Sequence, residues 1–428
     1  MTCANRNGIS PREFGARGDG FTKDTAALQQ AIDACSASGG GRVALSGGTF
    51  LTGTLFLRDG VELSIDASAT LLGSPDAADY PHDAVAHLDP MRTARFRTSA
   101  LIVADRCRNV AITGRGRIDC NGQAFVQCSS DDEWTGWKYQ RLPDKPGPPR
   151  MILFAGCEDV LVTDVSLVNA ASGWGYWVTD CDRVVFDRAK VLSDPDYPNN
   201  DGIHINASRD VSVSNCRIVA GDDAIVVRCN NRPFRDARNR VCERVTVTNC
   251  QLMSYANAIR LAWTNDGTIR NCAFSNLAIT DSAAGIGIDL PPPDEETGDY
   301  GREATLIENL VFSFIVMDRV YSSPIRFAIS DAPSTRLEAI HAITFSDIRA
   351  RAYKFNDFRI PDGRVIEDVV FRGCDFTRCA DGSFPGDWRQ KGAAYWWNAD
   401  HADHKDAKGV RYECCTCATC SKFHIYIA

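Results

Sequence analysis

Val211-Ser212-Val213-Ser214-Asn215-Cys216 is answered 34 residues later by Val245-Thr246-Val247-Thr248-Asn249-Cys250. The phrase is apolar, variable, apolar, then polar residues and a small residue or cysteine. Variants of it occur at Val110-Ala111-Ile112, Val160-Leu161-Val162, Val184-Val185-Phe186 and Gly267-Thr268-Ile269. Others are Leu310-Val311-Phe312, Ile343-Thr344-Phe345 and Val369-Val370-Phe371. The second anchors fall at 112, 162, 186, 213, 247, 269, 312, 345 and 371, and six of the eight steps lie between 22 and 34 residues. Short alternating β runs at that period predict stacked coils. A leucine-rich repeat would need a Leu/Asn ladder that is missing, and a propeller about 40 residues per blade. The expected fold is all-β: a right-handed parallel β-helix of about ten coils, with 1–428 as a single domain.

The ends and interruptions follow from the breaks in this rhythm. Residues 24–38 carry Leu28, Ala31, Ile32 and Cys35 at helical spacing, with Asp24-Thr25 as a start and Gly39-Gly40-Gly41 as a stop. An amphipathic helix there would cover the open edge of the first coil. Strand-like runs follow at 43–45, 54–57 and 61–65. Residues 121–150, with Trp134, Trp137 and Tyr139, and residues 291–303, opened by Pro291-Pro292-Pro293, read as loop insertions. Long ordered loops often carry function. Residues 380–428 are expected to form a tail packed on the solenoid.

The charge balance of 47 basic against 55 acidic residues, net −8, with no basic run, disfavours nucleic acid as a partner. No apolar stretch has the length of a membrane span, and no charged-then-apolar leader opens the chain. The expectation is a cytoplasmic protein, or a secreted one whose leader has been removed. Many of the 18 cysteines occupy repeat-equivalent places, among them Cys157, Cys181, Cys216, Cys250, Cys272 and Cys374. Buried, reduced thiols acting as small hydrophobes are the expectation there. Cys417 and Cys420 have CxxC spacing, with His401, His404 and His424 nearby in sequence, but the second CxxC arm of a zinc site is missing. Neither a metal nor a cofactor is expected.

Two motifs carry the chemistry: Asn199-Asn200-Asp201-Gly202 and Gly221-Asp222-Asp223. Aligning Ile203 with Ile225 as coil neighbours sets Asp201 over Asp223, with Asp222 beside them. Parallel strands lie about 4.8 Å apart, so three carboxyl groups would crowd one patch. Such crowding shifts pKa values and suits acid/base work. The alternative is an Asn/Asp turn ladder that only satisfies backbone groups.

The stretch Phe14-Gly15-Ala16-Arg17-Gly18-Asp19-Gly20, with Asp24-Thr25, Ala31-Ile32 and Gly39-Gly40-Gly41-Arg42-Val43, resembles the N-terminal region of pectin-acting β-helix proteins. Pro149-Arg150, Trp174, Asn199 to His204 and Gly221 to Ile225 resemble, in order and spacing, the polygalacturonase family, glycoside hydrolase family 28. The likeness runs over about 12–290. It implies that Asp201, Asp222 and Asp223 are catalytic, with Asp222 as the acid and Asp201 with Asp223 holding the water. Asn200 stands where the family usually has Thr. Inverting hydrolysis needs one protonated carboxyl for the leaving oxygen and an ionised one to activate water. Adjacent strands alone suggest a closer pair than inversion ordinarily uses.

The chain also departs from the family. Asn257 stands where the resemblance implies a His. Gly287 and Asp289 stand where it implies the Arg and Lys that hold a galacturonate carboxylate. Asp289 is expected to repel such a carboxylate. One place after the isoleucine ladder, the positions read His204, Val226, Arg260, Gly287 and Arg326, and Arg228 lies on the next ladder with Asn206. Arg228, Arg260 and Arg326 are therefore candidates for binding an acidic sugar bidentately. Asn199, His204 and Asn257 are further candidates for substrate contact. Trp174 and Trp263, and also Tyr176, Trp177, Tyr197 and Tyr255, are candidates for stacking on sugars or for core packing. Three readings stay open: an exo-acting glycosidase on a pectic or related plant oligosaccharide, a lyase or epimerase on the same scaffold, and a non-catalytic carbohydrate-binding β-helix.

Overall fold

The computed structural model describes residues 8–85, 88, 98–128, 138–171, 173–231, 241–294, 300–379, 409–419 and 422–425. Trp134, Trp137, His401, His404 and Cys420 lie outside the described residues, as do most of the 380–428 tail and the side chains of Cys417 and His424.

The frame of the site is a ten-stranded parallel sheet. Its strands, hydrogen-bonded in chain order, are β1 (Leu55–Phe56), β2 (Ala100–Asp105), β3 (Arg150–Ala155), β4 (Trp174–Thr179), β5 (Ile203–Asn206), β6 (Ile225–Arg228), β7 (Asn257–Leu261), β8 (Ala284–Leu290), β9 (Ile325–Ile329) and β10 (Asp357–Arg359). One strand comes from each coil, as the repeat predicts. The chain then continues round each coil in the second, larger sheet. After β5, for example, it forms Arg209–Ser214 and Arg217–Ala220 before returning as β6.

Single left-handed residues turn the corners. Asp164, Arg188, Asn215 and Asn249 hold one corner in successive coils, all with φ between 53° and 66°. Asn and Asp tolerate this conformation because their short polar side chains bond locally. Arg188 has no such excuse and follows its neighbours above and below.

The interior explains why the register cannot slip. Ile203, Ile225, Ile259, Ile286 and Ile325 pair rung on rung and are fully buried. Each such side chain contributes roughly 1.5–3 kcal/mol by burial. A one-residue shift would turn the whole row outward. Phe274, Phe312, Phe345, Phe371 and Tyr412 form a second row, with ring centroids 4.6–4.8 Å apart. The repeat-equivalent cysteines named above are buried.

The N-terminal helix α1 (Thr25–Ala37) buries Leu28, Ala31, Ile32 and Cys35, the face expected from spacing. Asp24 makes no side-chain cap on it. Its carboxylate turns back to accept from the backbone N–H groups of Arg17 and Gly18, at 2.7 and 2.9 Å, and ties down the preceding loop. Within the 121–150 insertion, Val126–Cys128 pairs antiparallel with Tyr139–Arg141. Among the described residues no helix is long and apolar enough to cross a membrane.

Candidate active site

Vertical ladders on the ten-stranded sheet assemble the site. Ile203 pairs with Ile225 and Ile225 with Ile259, the register expected from the repeat. Just before these strands the stacking continues: Gly202 N–H donates to Asp223 O at 2.9 Å, and Ala224 N–H donates to Asn257 O at 2.9 Å. Asp201, Asp223 and Asn257 therefore succeed one another up the stack. Arg150 and Trp174 continue this column below, paired across β3 and β4. The neighbouring ladder reads Trp177, His204, Val226, Arg260, Gly287 and Arg326.

One carboxylate oxygen each of Asp201, Asp222 and Asp223 lies within 4.8 Å of the other two. The three differ sharply in surroundings. Asp201 is buried; its Oδ2 lies 3.3 Å from His204 Nδ1, and its Oδ1 has no hydrogen-bond partner among the described residues. Burial pushes its carboxyl well above the usual range, and the nearby Asp222 and Asp223 push it further.

Asp223 is tied on both oxygens. Oδ1 accepts from the Asn257 backbone N–H at 3.0 Å and from Asn257 Nδ2 at 2.7 Å, while Arg260 Nε lies 2.8 Å from Oδ2. Burial pushes this carboxyl up to about 6, against the pull of Arg260 and Asn257 and with the help of Asp222.

Asp222 alone is partly exposed. Its Oδ2 accepts from Asn199 Nδ2 at 3.2 Å and its Oδ1 from the Asp223 N–H at 2.9 Å. Asn199 is itself held by Arg141, whose guanidinium donates to Asn199 Oδ1 at 2.9 Å. The 121–150 insertion thus reaches the site through Arg141. Asn200, in the usual Thr place, has a defined task. Its Oδ1 accepts the N–H groups of Gly221 and Asp222 at 2.7 and 3.2 Å, and its Nδ2 donates to Asp194 O at 3.0 Å. Gly221 admits no side chain, because a Cβ there would sit 2.2 Å from Pro195 O.

His204 is fully enclosed. Its ring stacks on Trp174 with centroids 3.8 Å apart, and the Arg150 guanidinium lies 3.4 Å from the other face of Trp174. Burial first, then Arg228, Arg260 and Arg150, push the imidazole well below its ordinary pKa, so it is neutral.

Several expected substrate contacts find other occupations. Arg326 donates to Asp289 Oδ1 and Oδ2 at 3.0 and 2.8 Å and to Asn257 Oδ1 at 2.7 Å, fully buried. Asp289 is thereby neutralised and does not confront a ligand. Gly287 makes room for this network: a Cβ there would lie 2.6 Å from Asn257 Oδ1. Arg228 pairs with both oxygens of buried Asp266 at 2.9 Å. Arg228 and Arg326 therefore serve the protein's own carboxylates, not an acidic sugar. Arg260 faces Asp223 and stacks over Trp263, its guanidinium 4.6 Å from the ring. Trp174, Trp177 and Tyr176 are enclosed in packing, and Tyr197 meets Tyr139 at 4.9 Å. Trp263 and Tyr255 keep partial exposure. Sequence reasoning assigned no role to Arg141, Arg150, Asn200 or Asp266; Arg150 and Asn200 stood in recognised motifs, but the partners that define their tasks are not legible from a motif.

The acid cluster is also the natural place to seek a cation. Asp223 has both oxygens engaged, one by Asn257 and the other by the Arg260 guanidinium 2.8 Å away, a cation that would repel a divalent ion. This donor set does not fit a metal.

The chain matches the model for glycosyl hydrolases family 28 over residues 50–232. It is 26% identical over 258 residues to an exo-poly-alpha-D-galacturonosidase of Dickeya chrysanthemi, covering 51% of this chain and 41% of that protein. It is 25% identical over 288 residues to a probable polygalacturonase of Vitis vinifera, covering 64% and 55%. The match thus spans about half the length of these relatives. In fold it is similar to an exopolygalacturonase of Thermotoga maritima, with TM-score 0.70, 21% identity and 88% of each chain covered. Matched residues 50–232 include the whole acid cluster, and over that stretch the chain is similar to glycosyl hydrolases family 28.

Proposed function

We propose that this protein is a glycosidase that hydrolyses a pectic or related plant oligosaccharide, acting from a chain end, with Asp222 as proton donor and Asp201 with Asp223 holding the attacking water. The observation that carries this reading is the unequal burial of three crowded carboxyls. Of the three only Asp222 is partly exposed, able to meet a leaving oxygen, while Asp201 Oδ1 is buried and has no hydrogen-bond partner among the described residues. The separation, under 4.8 Å, is shorter than the roughly 6.5–9.5 Å usual for inversion. The bonding argues for inversion nonetheless. Retention needs a carboxylate free to attack carbon, but both oxygens of Asp223 are engaged and Asp201 is buried. A held water is the better nucleophile.

Elimination would need a base, and Arg260 is the nearest basic side chain. Asp223 keeps its guanidinium charged, so it is unsuited to that role. The 26% likeness to an exo-poly-alpha-D-galacturonosidase supports attack from the chain end. The test is a panel of neutral and acidic plant oligosaccharides. New reducing ends without an unsaturated chromophore support hydrolysis; a chromophore means elimination, and absence of both means a binder.

A further inference from the structure

Arg150, Trp174 and His204 form a column that ends on Asp201. The guanidinium carbon lies 3.4 Å from the Trp174 ring centroid, the indole and imidazole centroids are 3.8 Å apart and inclined by 19°, and His204 Nδ1 lies 3.3 Å from Asp201 Oδ2. Arg150 is anchored from below by donating to Pro149 O at 2.6 Å. All four side chains are buried. They come from three successive coils, so the rigid register of the sheet sets the spacing.

We propose that Arg150 is a positioning residue: stacked on Trp174, it clamps the His204 imidazole, which holds Asp201 Oδ2 and leaves Oδ1 to the attacking water. A side chain kept only for packing would be apolar; burying a guanidinium is costly unless its charge is used. A planar cation stacked on an indole is favourable, and Lys cannot reproduce that contact. The charge also has an effect at a distance. His204 is surrounded by Arg150 from β3, Arg228 from β6, Arg260 from β7 and the carboxyl of Asp201, and Asp201 further faces Asp222 and Asp223. Removing Arg150 takes one cation from that set, so the imidazole gains a proton more readily. An imidazolium would pair with Asp201 and draw the carboxylate away from water.

The inference rests on the hydrolytic reading, so one readout is independent of turnover. In ¹⁵N-labelled protein, the His204 imidazole of the wild type should stay neutral on lowering the pH from 8 to 5. In Arg150→Met it should begin to protonate at a higher pH than in the wild type. On the pectic fragment cleaved fastest in the panel, Arg150→Met should lose about tenfold to a hundredfold in kcat with KM nearly unchanged. The acidic limb of its pH profile should move to higher pH. Arg150→Lys keeps the charge and loses the plane, so kcat should fall while the acidic limb stays near that of the wild type. Trp174→Phe should retain more activity than Trp174→Ala.

A folded Arg150→Met with unchanged His204 titration and pH profile overturns the proposal, even if its melting temperature falls. So does an Arg150→Lys or Trp174→Ala variant as active as the wild type. Should Arg150→Met fail to fold, Arg150→Lys and Trp174→Phe carry the same comparison. If no panel member is cleaved, the hydrolytic reading fails and the catalytic role of the column falls with it; the titration still shows whether the clamp exists.

Discussion

Arg326 donates to both carboxylate oxygens of Asp289, at 3.0 and 2.8 Å, and neither side chain reaches solvent. A substrate carboxylate could recruit this arginine only by leaving Asp289 as an unpaired buried anion, which is prohibitive. Arg228 is bound in the same way by Asp266. Unmodified polygalacturonate is therefore expected to be a poor substrate. A neutral sugar at the cleaved bond, as in a rhamnose-containing pectic fragment, should be preferred by about tenfold or more in kcat/KM. Initial rates over matched neutral and acidic oligosaccharides check this, and efficient cleavage of plain polygalacturonate refutes it.

The same pair makes a stability prediction. Asp289→Asn leaves the Arg326 guanidinium buried without its counter-ion and should cost about 3–5 kcal/mol. Denaturant unfolding measures it. A loss below 1 kcal/mol would mean that the pair behaves like an exposed one.

Gly287→Ala tests the crowding directly. The added methyl would meet Asn257 Oδ1 at 2.6 Å and Asp289 Oδ2 at 3.2 Å. Overpacking of this kind costs roughly 1–3 kcal/mol. Turnover should also fall, because Asn257 is the donor that orients Asp223. A variant with wild-type stability and activity would show that Asn257 moves freely.

The coil count and the isoleucine register were legible in the sequence because inward apolar residues recur at a fixed place in every coil. The same periodicity stacked Asp201 on Asp223 and put His204, Arg260, Gly287 and Arg326 on one ladder. What those ladders do with their charges was not legible. Arg326 and Asp289 sit on adjacent strands, yet nothing in a linear sequence says that the guanidinium turns to the carboxylate and away from a ligand. Arg141 meets Asn199 only because a long insertion folds back, and insertions carry no repeat to read. Asp24 shows the same limit at small scale: its residue type marks a helix start, while its partners, Arg17 and Gly18, lie upstream.

The buried acids should also set a pH dependence of stability. Asp223 is pushed up to about 6 in the fold, whereas an unfolded Asp titrates near 4. Between those values the native state holds a proton that the unfolded state has released, so stability falls as pH rises through this window and stays lower above it. Asp201 acts in the same sense, since burial and its two acidic neighbours raise it too. Asp201→Asn removes its share of the effect. Relative to the wild type, the variant should therefore gain stability as the pH rises from 4 towards 8. Thermal unfolding at several pH values measures the difference. A constant difference across that range would show that Asp201 is not held protonated by the fold.

Asp222→Asn should abolish turnover and spare the fold. The amide keeps the volume of the carboxyl and can still accept the Asp223 N–H that Asp222 Oδ1 now accepts at 2.9 Å. It cannot deliver a proton to the leaving oxygen, and general acid groups contribute roughly 10²–10⁴-fold. The loss should appear in kcat, with sugar binding measured by calorimetry nearly unchanged. Asp201→Asn and Asp223→Asn should be comparably inactive for a different reason, loss of the groups that hold water. An activated leaving group separates the two cases: a substrate whose aglycone needs no protonation should rescue Asp222→Asn and not the other two. The wild-type product, followed by proton NMR in the first minutes of reaction, should carry the inverted anomeric configuration. A retained anomer would mean that Asp201 or Asp223 attacks carbon directly, despite the bonds that engage them. Substantial activity of Asp222→Asn on an ordinary glycoside would move the acid to another residue.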